Sequence, residues 1–124
     1  MDNTSNSNLN NEVIGLQAYE YIVNHIDSIE DNINELVNNI TKVDIKGQFS
    51  VSTARYLNAV DKDKYAEAID LLIKSAIEKD REHVYLHDLA SAIWGKDYAD
   101  RAESLSAVND NFRRIYKRLN PKGF

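Results

Sequence analysis

The residues best suited to acid–base or metal chemistry in this chain are its three histidines, His25, His83 and His87. His83 and His87 stand four apart with Asp88 adjacent, but no Glu follows His83 to complete a His-Glu-x-x-His zinc pattern. With no cysteine in the chain, nothing adds a thiolate ligand, and a zinc site there would be poor in ligands. Gly15, Gly47, Gly95 and Gly123 are scattered, so no phosphate-cradling loop is expected. No serine sits in a nucleophile-elbow context. The expectation is a protein without cofactor, metal or catalytic centre.

What the sequence does concentrate is positive charge. A net charge of −5 conceals an asymmetry: residues 1–44 hold eight carboxylates and one Lys, whereas residues 111–124 hold five bases and no acid. Such bases can simply complement the C-terminus of their own helix. They can also face a polyanion. Leu105, Val108, Phe112, Ile115 and Leu119 recur at three- and four-residue steps, which predicts one helix over residues 102–119 with those five facing inward. Ser106, Asn109, Asp110, Arg113 and Lys117 then form the opposite stripe. Asn109 suits a bidentate pair with adenine and Arg113 one with guanine. Arg114, Lys117, Arg118 and Lys122 suit phosphates, and Arg101 suits a phosphate near the helix start. Asp110 repels phosphate unless Arg114 pairs with it or it accepts from cytosine.

Ahead of this helix, residues 84–86 read as a short β-prone piece, residues 86–94 as a short helix ending at Gly95, and residues 96–98 as a turn. A short helix, a tight turn and a longer helix with a basic outer face is the plan of a helix-turn-helix DNA reader. Leu-Ala-Ser-Ala-Ile-Trp-Gly at 89–95 and Phe-Arg-Arg-Ile-Tyr-Lys-Arg-Leu at 112–119 resemble the winged-helix output domains of bacterial response regulators, over the last third of the chain. The resemblance implies a recognition helix in the major groove. The family's β-hairpin wing has no counterpart in Asn-Pro-Lys-Gly-Phe at 120–124, so a minor-groove contact is not implied. Arg81 and His87 also resemble, loosely, the Arg-x(4-6)-His motif of helical ribonucleases of toxin–antitoxin systems, which would make His87 an acid or base.

The elements that must position this end begin with a heptad. Tyr19, Ile22, Ile26, Ile29, Ile33, Leu36, Ile40 and Val43 are spaced 3-4-3-4-3-4-3, with no proline between them. Residues 12–44 therefore read as one long helix. Such a helix spans about 45 Å, more than a small domain needs. The expectation is a dimer or higher oligomer built on those eight residues, with residues 1–11 a disordered polar tail. Residues 45–124 form the helix-turn-helix-like domain. Within it, residues 45–51 alternate as a short strand, which pairs with 84–86 in at most a two-stranded sheet. A short helix through Ala59 follows, and then an amphipathic helix at 64–79 carrying Tyr65, Ile69, Leu72, Ile73, Ala76 and Ile77.

At 124 residues, 43% hydrophobic and 28% charged, the chain has the composition of a single mainly α globular domain. No run approaches a membrane span and the first residues lack a signal-peptide pattern, so the cytoplasm is expected. Two functions follow from these readings. The first is a small oligomeric protein that binds double-stranded DNA, as a transcriptional regulator or a plasmid or phage accessory factor. The alternative is a helical protein-interaction module, of the antirepressor, immunity or inhibitor kind, whose acidic N-terminal half is the working surface.

Overall fold

The computed structural model describes residues 3–122, with side chains from Asn10 onward. Its helices are α1 (Asn3–His25), α2 (Ile33–Val43), α3 (Gln48–Asp61), α4 (Ala66–Lys79), α5 (Leu86–Trp94), α6 (Ala102–Val108) and α7 (Asp110–Leu119). Short 3-10 turns at Glu30–Asn32 and Tyr98–Arg101 precede α2 and α6. The chain is mainly α, as its periodicity predicts. No strand occurs among the described residues, and none of their helices is long and apolar enough to cross a membrane.

The predicted long helix is a hairpin. It begins at Asn3, so the polar stretch read as a tail is helical from there, while Met1 and Asp2 lie outside the described residues. It stops at His25, where the Ser28 amide and hydroxyl both donate to the His25 carbonyl, at 2.9 and 3.1 Å. A serine that bonds nearby backbone competes with the next helical turn. The chain reverses and α2 packs back on α1. The heptad stripe thus does find a helix to lie against, and that helix is its own second half. Ile22, Ile29, Ile33 and Ile40 are buried in the chain's own core, with Ile26 and Leu36 packed at its edge and Tyr19 and Val43 half-buried. An intramolecular partner meets no concentration cost, and within the chain most of this stripe faces the core.

Both predicted strands are helix junctions instead, and one device builds each. Asp44 donates its N–H to the Ile40 carbonyl (3.0 Å) and so ends α2. Its carboxylate accepts from the Gly47 and Ser50 amides, at 3.1 and 2.7 Å, and so starts α3. Asp80 repeats this: its N–H donates to the Ala76 carbonyl (2.9 Å), ending α4. Its carboxylate accepts from the amides of Val84, Tyr85 and Leu86, at 2.9, 2.7 and 2.8 Å, starting α5. Asp44 and Asp80 are only 3% and 2% exposed, and the bonds from Gly47, Ser50 and Leu86 are buried away from competing water. Amides engaged by a carboxylate are not free for a strand ladder, which is why neither alternating stretch becomes a strand. The two junctions also touch. Gly47 is left-handed at φ 87°, and a Cβ there would stand 3.2 Å from that of Asp80.

Helix α4 is the centre of the fold. It packs on α2, α3, α5 and α7, and Ala68, Ile69, Leu72, Ile73, Ala76 and Ile77 are buried along it. Residues 12–44 and 45–122 therefore share one core. The α1–α3 crossing depends on Gly15, because a Cβ there would overlap the ring of buried Phe49. Gly15→Ala should gain up to about 1 kcal/mol of helix propensity but lose about 1–3 kcal/mol to overpacking. A net loss is expected, since the ring is 8% exposed and must be displaced from the core to make room. Thermal melting checks it; an unchanged or higher melting temperature would refute the close crossing.

Candidate nucleic-acid interface

The predicted recognition helix is broken at Asn109. That residue adopts an extended conformation, and its side-chain oxygen accepts from the Phe112 amide at 3.0 Å, capping α7. This is ordinary N-cap chemistry for asparagine. The break turns α6 away from the face that α7 buries. Val108, expected in the core, is therefore 84% exposed, whereas Phe112 and Ile115 are fully buried and Leu105 and Leu119 half-buried.

Four of the expected DNA contacts change character in consequence. Asn109 has its oxygen engaged as the cap, so a bidentate adenine contact would cost the start of α7. The Ser106 hydroxyl is buried and without a partner among the described residues, not part of an exposed stripe. Arg101 donates to the Trp94 carbonyl and to Asp97 (3.3 Å), which ties it across the α5–α6 connection. Arg113 pairs with Asp110 in the first turn of α7. That hydrogen bond is the main reason the Asp110 carboxyl titrates below the usual carboxylate range, with the charges of Arg113, Arg114 and Lys74 adding to it. The carboxylate that would repel a polyanion is thus already matched, by Arg113 and not by Arg114.

What α7 keeps is a basic outer face. Phe112 packs edge-on against Trp94 (5.1 Å between ring centroids) and Tyr98 (6.0 Å), and stacks on Tyr116 (5.7 Å). With Ile115 it anchors one side of the helix to α4 and α5. By helical spacing Arg113 and Lys117 form a stripe opposite that anchor, and Arg114 and Arg118 a second stripe on its flank. Arg113 and Lys117 are exposed, Arg114 and Arg118 half-buried, and Lys122 is exposed just beyond the helix. The α7 N-terminus is held down from α4, where the Asn111 amide donates to Asp70 at 2.7 Å. Asp70 in turn pairs with Lys74, at 2.6 Å.

The histidines do not converge. No group of three or more metal-ligating side chains occurs among the described residues. His83 sits in the α4–α5 junction at φ 60°. His87 is on the first turn of α5, with Nδ1 2.7 Å from the Tyr98 hydroxyl. Arg81 and His87 line different cavities. Arg81 shares its cavity with Lys46, Lys79 and Glu82, while His87 shares its own with Arg55, Ser91 and Lys96. The spacing of the ribonuclease-like motif therefore does not bring the pair to one site. Sequence reading missed Arg55, because nothing in the local pattern links α3 to α5. Comparison with protein families, curated proteins and solved structures finds no match to this chain.

Proposed function

We propose that this protein binds double-stranded DNA through the outer face of α7, in a regulatory or accessory role. The observation that carries the reading is the placement of Arg113 and Lys117 opposite buried Phe112 and Ile115, with Arg114 and Arg118 on the adjacent stripe. The only carboxylate on the helix, Asp110, is matched internally. With Asn109 and Ser106 withdrawn from readout, the contacts are mainly to phosphates, which position a duplex without reading its sequence. The acidic remainder of the chain repels the duplex elsewhere and so confines binding to this face.

Phosphate binding releases counterions, so affinity should fall steeply with salt. If Lys122 joins the four helix cations, the log–log slope on duplex DNA should approach about −4.5. Changing Arg113 and Lys117 together to Ala should flatten the slope by about 2. Both are exposed, so stability should move by less than about 0.5 kcal/mol. A double variant with wild-type affinity and slope would discard the α7 reading.

A second reading is favoured by one observation. Val13, Ile14, Leu16 and Tyr21 are exposed on α1, away from its packed side. Solvent-facing apolar side chains close together on one helix suit a protein partner. A chain that shows no salt-dependent affinity for duplex DNA would leave the protein-interaction module as the better account.

A further inference from the structure

We propose that the seam between α3 and α5 is a nucleotide-binding groove, with the phosphate at Arg55, His87 and Lys96 and the base at Tyr19 and Tyr56. Two cavities of about 460 and 490 Å³ lie along this seam and share Arg55 and Ala92. Both are open to solvent along the seam, so a ligand there would lie in a groove and not in an enclosed pocket. Their linings differ in chemistry, and the difference matches the two ends of a nucleotide.

The first cavity is lined by Tyr19, Ser52, Tyr56 and Asn58. The Tyr56 hydroxyl donates to the Val23 carbonyl at 3.3 Å, which fixes its ring. Asn58 donates to the Ala92 carbonyl at 3.2 Å, tying α3 to α5. The Asn58 oxygen is left to accept from a base edge, and aromatic rings bind bases by stacking whatever their sequence.

The second cavity is cationic. Arg55 and Lys96 are exposed, and neither forms a salt bridge among the described residues. An unpaired guanidinium is the side chain best shaped to grip a phosphate with two bonds. His87 lines the same cavity, its Nδ1 held by Tyr98. That contact holds the ring in place, and its other nitrogen, Nε2, is the one left for a phosphate. Asp88, the carboxylate in this cavity, suits a ribose hydroxyl, the usual partner of an acid beside a nucleotide.

The test is an NMR titration of the full chain with adenosine monophosphate, with inorganic phosphate and adenosine as separate probes. Adenosine monophosphate should shift the amide signals of residues 52–59 and 87–96 saturably. Phosphate and adenosine alone should each bind about tenfold more weakly or worse. Arg55→Gln and Lys96→Gln should each weaken adenosine monophosphate about tenfold, with unchanged melting and unchanged affinity for duplex DNA. That last control separates this groove from the α7 face, so either can fail alone. A short oligoadenylate that displaces the mononucleotide would identify the ligand as one unit of a single strand, and one that does not would identify it as a free nucleotide. Three results would overturn the proposal: no shifts along the seam at millimolar mononucleotide, binding indifferent to both variants, or phosphate bound as tightly as the nucleotide.

Discussion

Phe112→Ala is expected to destabilise this protein by about 3–5 kcal/mol, the usual cost of emptying a buried ring site. A domain of this size has only about 5–15 kcal/mol of stability in all. The ring is fully buried and touches Trp94, Tyr98 and Tyr116. Aromatic pairs add to the loss beyond burial alone. The site cannot close easily, because its walls belong to α5, α7 and the turn at 98–101. Chemical denaturation read by circular dichroism measures the loss, and the near-ultraviolet signal of Trp94 should weaken with it. If α7 is the DNA-binding face proposed above, affinity for DNA should fall as well, since that face is oriented only while α7 is anchored. A variant that melts like the wild type would mean that α7 is not held by its ring.

Asp80→Ala is expected to cost about 3–5 kcal/mol, although it removes few atoms. Three backbone amides that point at the carboxylate would lose their acceptor. The Leu86 bond is buried, so water reaches it poorly. An orphaned buried donor carries its full desolvation cost, which exceeds the net worth of the bond it made. Asp80→Asn should cost less, because one oxygen remains to accept. The order wild type, Asn, Ala in denaturant midpoint is the expected result. Equal midpoints for all three would show that the α4–α5 junction is held by packing alone.

These two residues mark where sequence reading succeeds and where it stops. Phe112 was legible as core from its spacing with Ile115, as were Ile69, Leu72, Ile73, Ala76 and Ile77 on α4 and Tyr65 just before it. All are buried. Asp80 was legible only as a helix end. Its second role depends on three amides in a junction whose Val-Tyr-Leu sequence looks β-prone. The alternation at 45–51 misled in the same way, and there the hidden group is Asp44. A carboxylate that claims backbone amides outweighs a weak strand preference, and nothing in a four- to seven-residue pattern reveals that it will.

Helix breaks were the other loss. The stops at His25 and Asn109 involve no proline and no glycine, only Ser28 and Asn109 bonding to nearby backbone. Apolar periodicity runs through both, because a hairpin and a corner each preserve the spacing on either side of the turn.

The sequence by itself determined that this chain is helical, which faces of its helices are apolar, and that its cations gather at one end. These follow from the 3.6-residue period and from composition, both local properties. Only the tertiary structure decided which helix the heptad stripe would lie against. It also decided that Val108 would face solvent and that Arg55 would line the same depression as His87. Those outcomes depend on chain reversals set by single capping side chains, and on helices brought together by a core that no local spacing describes.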